Sequence, residues 1–196
     1  LTDIEIPDGV THISDSIFYG CSSLTGIGIS DGVTYIGNYA FYKCDGLTSI
    51  EIPAGVTCIG DYAFCSCSNL VSIHVDENNP NYSSDDRGVL FDKAKTLLIQ
   101  APAAITGPYT VPDSVTFIGD TAFTNCADLT GIAFPGTLIT IGSCSFSNCS
   151  SLTDLEIPND VTYICDRAFS SCSSLTSIEI PDSVTSIGDM AFSHCT

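Results

Sequence analysis

The 196-residue chain carries 23 acidic and five basic residues, a formal charge of −18, and no tryptophan. A chain this acidic repels nucleic acid and anionic membranes, so nucleic acid is excluded as an expected partner. The sequence has no run of eighteen apolar residues, so membrane insertion within this segment is not expected. The acidic residues are scattered over predicted turns, which is typical of a solvated surface and compatible with a cationic partner.

A 23-residue pattern, L-T-x-I-x-I-P-x-x-V-T-x-I-G-x-x-A-F-x-x-C, recurs along almost the whole chain. Copies begin near residues 1, 24, 47, 70, 106, 129, 152 and 175. Such a period is typical of a leucine-rich solenoid, in which each copy forms one coil. The sequence predicts one solenoid domain over residues 1–196, with about eight coils and an insertion at 76–105. Because Leu1 already lies inside the pattern, a fragment of a longer protein is expected.

Each copy predicts the same short elements, numbered here by repeat position from the opening apolar residue. Apolar residues at positions 1, 4 and 6 alternate with polar or small ones, which predicts half-buried strands in a parallel sheet on one face. Proline at position 7 ends the strand, and V-T-x-I predicts a short second strand. Glycine at position 14 is expected to permit a bend with positive φ. The closing D-x-A-F-x-x-C predicts a single helical or 3₁₀ turn with an Asp or Asn cap.

Two columns run through the copies. Phenylalanine occupies repeat position 18, at Phe18, Phe41, Phe64, Phe123, Phe146, Phe169 and Phe192, and predicts an internal aromatic spine. Cysteine occupies position 21 and accounts there for seven of the eleven cysteines. Because free cysteine packs as a small hydrophobe, a reduced buried ladder is expected, with one or two disulfides as the alternative.

The recurring I-P, I-G-x-x-A-F and C elements resemble BspA-type leucine-rich repeats, also called Treponema-pallidum-type repeats. These occur in surface proteins of gut and oral bacteria and of trichomonad parasites. The resemblance implies a β-rich, right-handed curved solenoid of the α/β leucine-rich-repeat type, displayed extracellularly or on a cell surface. It also implies non-enzymatic adhesion through a host surface or matrix protein. A passive spacer that displays other domains of a longer surface protein is the alternative function.

The insertion at 76–105 is the one long break in the repeat. It predicts strands at Val89–Phe91 and Thr96–Ile99, joined as a hairpin by a four-residue loop. Three of the five basic residues lie in it: Arg87, Lys93 and Lys95. These are predicted partner-binding residues, because insertions in solenoids often lie at binding faces. The alternative is a structural variant coil that closes the core.

Repeat position 12, on the second strand, gives another candidate surface. Its residues are His12, Tyr35, Cys58, Phe117, Thr140, Tyr163 and Ser186. Tyr35, Phe117 and Tyr163 are predicted partner-binding residues if this row is exposed, since aromatic side chains dominate binding hot spots. Packing of the row against turns in the core is the alternative.

Catalytic, cofactor-binding and metal-binding residues are not predicted. The histidines His12, His74 and His194 fall at different repeat positions, without a nucleophile motif nearby. Four carboxylates of the insertion could bind calcium but lack EF-hand spacing: Asp76, Glu77, Asp85 and Asp86. The C-S-C sequence at Cys65 and Cys67 is by itself a weak metal signal.

Overall fold

A computed structural model describes residues 1–195; Thr196, the last residue of the predicted domain, lies outside the described residues. Residues 1–195 contain seventeen strands and no helix, and so no helix that could cross a membrane. They divide into an N-terminal unit, Leu1–Lys93 with Ala101–Ala103, and a C-terminal unit, Ala94–Gln100 with the chain from Ala104 onward. Each unit is a β-solenoid, which confirms the predicted fold class. That residues 1–196 make up a single domain stays a prediction.

The N-terminal unit follows the predicted pattern of two strands per coil. Its strands are β1 (Asp3–Ile6), β2 (His12–Ile13), β3 (Gly26–Ile29), β4 (Tyr35–Ile36), β5 (Ser49–Ile52), β6 (Cys58–Ile59), β7 (Ser72–Val75), β8 (Tyr82–Ser84) and β9 (Leu90–Asp92). Strand β1 pairs with β3, and β5 with β7, in parallel. Strands β2, β4 and β6 form a second parallel sheet. In β5 the alternation buries Ile50 and Ile52 and exposes Ser49 and Glu51.

The C-terminal unit repeats this arrangement. Its strands are β10 (Leu97–Gln100), β11 (Gly107–Thr110), β12 (Phe117–Ile118), β13 (Leu129–Ala133), β14 (Thr140–Ile141), β15 (Asp154–Leu155), β16 (Tyr163–Ile164) and β17 (Ser186–Ile187). Strands β11, β13 and β15 form one parallel sheet. Strands β10, β12, β14, β16 and β17 form the other. Successive coils therefore lie in register within the unit, as the repeat predicts, apart from a shift between Gly107 and Pro108 on β11.

The two strands predicted in the insertion are present, each about one residue later than expected. They are β9, Leu90–Asp92, and β10, Leu97–Gln100. Strand β8, which the sequence did not indicate, precedes them and pairs antiparallel with β9 from Tyr82↔Asp92 to Ser84↔Leu90 within the N-terminal unit. The chain therefore doubles back on itself earlier in the insertion than the pattern suggested.

The phenylalanine spine is confirmed within each unit. Rings of successive coils stack nearly parallel with centroids 4.9 to 5.7 Å apart, as Phe18–Phe41–Phe64 and as Phe123–Phe146–Phe169–Phe192. Phe41, Phe123 and Phe146 are fully buried. Their spacing matches the separation of paired strands, about 4.8 Å, so the spine follows directly from the stacking of coils.

The predicted helical or 3₁₀ turn at the end of each coil is wrong. Residues at repeat positions 16 and 20 have positive φ, for example 54° at Tyr39 and 57° at Lys43 in one coil, and 53° at Arg167 and 62° at Ser171 in another. A residue in the left-handed region cannot continue a right-handed helix. The segment instead forms two successive hydrogen-bonded turns, such as Tyr42 N–H to the Tyr39 carbonyl at 3.2 Å.

These turns direct their backbone N–H groups into the next coil. Tyr39 N donates to the Asp61 carbonyl at 2.9 Å, and positions 18 and 20 make the equivalent bonds. The residue predicted as a helix cap serves the same purpose, because Asp15 Oδ1 accepts from the backbone N–H of Asn38 at 2.8 Å. Asn38 Oδ1 accepts in turn from Asp61 N at 2.8 Å. The third side of the coil is thus a hydrogen-bonded ladder between coils.

Glycine at repeat position 14 has a different role from the one expected. Among the described residues, positive φ at glycine occurs at Gly20, Gly88 and Gly107, and not at position 14. A Cβ at Gly60 would instead collide with the backbone nitrogen of Asn38. The glycine is therefore required by the close approach of the preceding coil, and the expectation of a positive-φ bend there is wrong.

Replacement of Phe146 by Ala should lower the free energy of unfolding by roughly 3–5 kcal/mol, because it opens a cavity in the spine. Denaturant titration measures this loss. Phe117→Ala is the matched control, since Phe117 lies outside the spine and is exposed; it should cost less than about 1 kcal/mol. Equal losses for the two variants would contradict the described burial.

Candidate partner-binding surfaces

The first part of the insertion packs onto the N-terminal unit as a coil. Asn79 is fully buried, and its Nδ2 donates to the carbonyls of Pro53 and Val56 at 2.8 and 2.9 Å. Its Oδ1 accepts two backbone N–H groups of the following turn, each at 2.9 Å. Residues 89–91 are fully buried as well. These contacts favour the structural interpretation of the insertion, since a satisfied buried amide fixes its position.

The three basic residues predicted to bind a partner are exposed or half-exposed at the surface of the insertion. Arg87 is exposed, and its backbone N–H donates to Asp85 Oδ1 at 3.0 Å. Lys93 is exposed, and its Nζ donates to the Glu77 carbonyl at 3.1 Å. Lys95 is half-exposed with φ of 54°. Arg87 and Lys93 belong to the N-terminal unit and Lys95 to the C-terminal unit, so the three do not form one patch on a single unit.

In the N-terminal unit, the position-12 row consists of His12, Tyr35 and Cys58, which pair in register on β2, β4 and β6. Tyr35 is half-exposed, and its hydroxyl donates to Asp15 Oδ1 at 3.1 Å. This hydrogen bond to a carboxylate raises the pKa of Tyr35. The His12 and Tyr35 rings lie 5.9 Å apart. Asp15 therefore holds the Tyr35 ring, which faces solvent in part, whereas His12 is exposed.

In the C-terminal unit, the same row consists of Phe117, Thr140, Tyr163 and Ser186, in register on β12, β14, β16 and β17. Phe117 is 40% exposed and Tyr163 is 51% exposed. The alternative of core packing is therefore wrong for both residues. Strand β14, which carries Thr140, lies between β12 and β16. The backbones of Phe117 and Tyr163 are therefore about 10 Å apart.

A third aromatic surface lies in the N-terminal unit, and sequence analysis did not identify it. This tyrosine cluster consists of Tyr19, Tyr39, Tyr42 and Tyr62. The Tyr39 and Tyr62 rings stack at 4.9 Å, the Tyr19 and Tyr42 rings stack at 5.1 Å, and Tyr39 meets Tyr42 edge-on at 5.7 Å. Tyr19 is 53% exposed and Tyr39 is 38% exposed, while the other two are half-exposed. Half of the chain's eight tyrosines therefore lie in one continuous surface patch.

The turns of the coils position this cluster. Tyr39 and Tyr62 occupy repeat position 16 with φ of 54° and 59°, while Tyr19 and Tyr42 occupy position 19. The left-handed residue at 16 turns the chain so that side chains at 16 and 19 project on the same side. Lys43 lies beside them, with Nζ 5.5 Å from the Tyr42 ring centroid. In the sequence, Tyr19 and Tyr42 are 23 residues apart, and so are Tyr39 and Tyr62. This repeated spacing was the only signal of the cluster that the sequence offered.

The sheet face of the N-terminal unit carries a groove that differs from these aromatic surfaces. Its volume is about 580 Å³, and its lining includes Gly26 and Gly28. The polar lining includes Glu51 and His74, which pair in register on β5 and β7. Aromatic rings are missing from its described lining apart from that histidine. The groove is therefore a weak candidate for a binding hot spot.

The carboxylates of the insertion stabilise its turns. Asp76 Oδ1 accepts from the backbone N–H of Asn78 at 2.8 Å, and Asp85 Oδ1 accepts from that of Val89 at 2.9 Å. Within residues 1–195, no group of three or more His, Cys, Asp and Glu side chains is arranged to hold a metal ion. Asp76 and Asp85 therefore have structural roles in their own loops.

The eleven cysteines are free thiols. Five of the position-21 column donate to backbone carbonyls: Cys44, Cys67, Cys149, Cys172 and Cys195. Cys67 Sγ donates to the Phe41 carbonyl at 2.9 Å, and Cys172 Sγ donates to the Phe146 carbonyl at 3.1 Å. Burial raises the pKa of each of these two thiols to about 12. A thiol with so high a pKa is a poor nucleophile at neutral pH, so the column has a packing role.

Comparison with known proteins identifies the repeat type. Residues 1–86 and 107–196 match the family described as "BspA type Leucine rich repeat region" in six copies. No significant match to a curated protein is found. Among solved structures, a leucine rich cell surface protein from Faecalibacterium prausnitzii is similar over 100% of this chain, with 36% identity and a TM-score of 0.90. The pneumococcal vaccine antigen PcpA is similar over 96% of this chain, with 27% identity and a TM-score of 0.91.

This chain spans about half the length of both solved relatives, 52% of the first and 47% of the second. The similarity therefore concerns the leucine-rich repeat part that the chains share. This repeat type is generally non-enzymatic and is associated with protein interaction.

The exposed Cys58 should react fastest with a thiol reagent in the native protein, because the other cysteines are half-exposed or buried. Mass spectrometry of timed alkylation should find Cys58 modified first and Cys44, Cys67, Cys149 and Cys172 last. Cys58→Ser should remove the fast phase. Labelling of Cys67 as fast as Cys58 would contradict the described packing.

Stability should fall as pH rises from about 9 towards 12. The ordinary thiol pKa is 9.0, and burial raises that of Cys67 and Cys172 to about 12 in the folded chain. As pH rises, these thiols lose their protons at a lower pH in the unfolded chain than in the folded chain. The stabilisation that the two protonated thiols give the folded chain is therefore complete below about pH 9 and is lost towards about pH 12. Urea titrations across this range measure the slope. The Cys67→Ala/Cys172→Ala variant, which lacks both thiols, should show a shallower decline; an identical slope would contradict the assignment.

Proposed function

Because this chain belongs to the BspA-type leucine-rich repeat family, we propose that it is a non-enzymatic adhesion module that binds a host surface or matrix protein from a cell surface. The relative from Faecalibacterium prausnitzii is described as a cell surface protein, and PcpA is a pneumococcal vaccine antigen. Both descriptions support an extracellular location for this chain. The activity and partners of the longer proteins in which such repeats occur are part of the same proposal.

The tyrosine cluster is the observation that carries the binding function. Tyrosine is enriched in interface hot spots, because its ring buries a large area while its hydroxyl hydrogen-bonds at the rim. Here four tyrosines contact one another at the surface instead of packing in the core. Their backbones belong to the ladder between coils, so the surface is rigid before a partner binds. A preorganised surface loses little conformational entropy on association.

The position-12 rows and the cationic residues of the insertion are weaker candidates. Phe117 and Tyr163 are exposed but are separated by the strand of Thr140. Arg87 and Lys93 lie on a packed loop where the Lys93 ammonium already bonds a carbonyl. We propose that these residues contribute less to affinity than the tyrosine cluster does.

A passive spacer is the second candidate function. It is favoured by the uniform packing of coils and by the scattered acidic residues, which would keep such a spacer soluble. A spacer has no use for clustered exposed aromatic side chains, which raise the risk of unwanted association. The tyrosine cluster therefore favours binding over spacing.

The test measures binding of the whole chain to immobilised matrix and cell-surface proteins, with collagen, laminin, fibronectin and mucin as probes. Three sets of substitutions to serine are compared: the four tyrosines of the cluster; Arg87, Lys93 and Lys95; and Tyr35, Phe117 and Tyr163. We expect the tyrosine set to weaken binding by at least about tenfold, which is about 1.4 kcal/mol, and the other sets to weaken it less.

Ile139→Ser is the control for loss of an exposed apolar side chain, since Ile139 is exposed and lies outside all three sets. Circular dichroism shows whether each variant keeps its fold. A wild-type chain that binds none of the probes would favour the spacer. Greatest loss with the Tyr35, Phe117 and Tyr163 set would move the binding site to the position-12 rows.

A further inference from the structure

The tyrosine cluster is a local feature of the N-terminal unit and not a requirement of the repeat. At repeat positions 16 and 19, the C-terminal unit has Thr121, Cys144, Arg167 and Met190, and Thr124, Ser147, Ser170 and Ser193. The backbone at position 16 has the same left-handed geometry in both units, with φ of 54° at Tyr39 and 57° at Met190. The fold therefore accepts many side chains at these positions. The four tyrosines need an explanation beyond folding.

The charge balance of the N-terminal part of the chain favours a cationic partner for the cluster. Residues 1–69 contain eight acidic residues and a single basic one, Lys43. Asp61 directly precedes Tyr62, and Asp45 lies two residues after Lys43. Nucleic acid and anionic membranes are repelled by this field, whereas a positively charged segment is attracted to it.

Lys43 shows how the cluster accepts a positive charge. Its ammonium lies 5.5 Å from the Tyr42 ring centroid, within the range of cation–π attraction. Tyrosine rings and hydroxyls suit a guanidinium better than an ammonium, because the guanidinium is planar, stacks on aromatic rings and is less strongly hydrated. Tyr39 and Tyr42 meet edge-on, with ring planes 71° apart, so the exposed surface offers both a ring face and ring edges.

From these observations we propose that the tyrosine cluster docks an arginine-bearing segment of a partner protein. This rests on the proposed function and names the partner's chemistry. The guanidinium groups contact the rings and hydroxyls of Tyr19, Tyr39, Tyr42 and Tyr62, while the surrounding carboxylates speed encounter with the segment. Rigid turns present the rings, so binding requires no rearrangement of the coils.

The variant that tests this uses side chains that the repeat already tolerates. Serine occurs naturally at position 16 in Ser16 and at position 19 in Ser147. The replacements Tyr19→Ser, Tyr39→Ser, Tyr42→Ser and Tyr62→Ser are combined in one chain. Met190→Ser is the matched control, because Met190 occupies position 16, has the same left-handed φ and is 60% exposed. Circular dichroism and thermal melting compare the folding of the three proteins.

The probe is a synthetic peptide with three arginines separated by glycine and serine, compared with the same peptide carrying uncharged citrulline. Calorimetry of the wild-type chain should give affinity at least about tenfold higher for the arginine peptide. The four-tyrosine variant should lose about tenfold of that affinity, and Met190→Ser should keep it. Salt at about 0.5 M should weaken the interaction, because it screens exposed charges.

Ring-specific NMR of the wild-type chain is independent of how the variant folds. On adding the arginine peptide, signals of the four clustered tyrosines should shift, and that of the buried Tyr109 should not. Equal affinity for the two peptides, wild-type affinity in the four-tyrosine variant, or unshifted cluster signals would each overturn the arginine proposal. Binding of the matrix-protein probes is measured in parallel, so a chain that keeps it while failing with the arginine peptide retains the proposed function and loses only this inference.

Discussion

The hydrogen bonds that each coil's last turn donates to the next coil are the interaction on which the rest of the structure depends. Tyr39 N to the Asp61 carbonyl and Phe41 N to the Ala63 carbonyl, at 2.9 and 2.8 Å, are examples from one coil. A coil on its own would leave these N–H groups without partners, which is unfavourable when they are shielded from water. Stacking satisfies them, fixes the spacing between coils and so brings the phenylalanine rings into contact within each unit. The backbone ladder and the aromatic spine therefore stabilise each other.

Much of the fold could be predicted from the sequence, because the positions of apolar residues within each repeat indicate which side chains are buried. The alternation at positions 4 and 6 placed Ile50 and Ile52 in the core, and the column at position 18 gave the spine. The turn could not be predicted in the same way. Positive φ at residues such as Tyr39 and Arg167 runs against their intrinsic preference and is imposed by bonds to the next coil. A pattern within one coil carries no information about those bonds. For the same reason, the sequence misassigned the role of glycine at position 14.

The candidate site was less predictable than the fold. The sequence placed Phe117 and Tyr163 on the second strand but left open whether they are exposed, and the structure shows that both are. The insertion holds three of the five basic residues in the sequence. In the structure, however, Arg87 and Lys93 belong to the N-terminal unit and Lys95 belongs to the C-terminal unit. Identification of the tyrosine cluster needed two facts at once: positions 16 and 19 share a surface, and adjacent coils stack. Only the turn geometry supplies the first fact, so the 23-residue spacing of the tyrosines was not informative alone.

The position of the tyrosines in the turn has an energetic consequence that bears on function. A bulky residue in the left-handed region is unfavourable by about 1–2 kcal/mol relative to the right-handed one, whereas glycine or asparagine adopts it readily. Tyr39 and Tyr62 are both held there, at φ of 54° and 59°. Stacking of their rings at 4.9 Å offsets part of that strain, since an aromatic pair contributes about 0.5–1.5 kcal/mol. Folding alone therefore gives little reason for tyrosine at these positions, whereas recognition of a partner by rigidly held, exposed rings does.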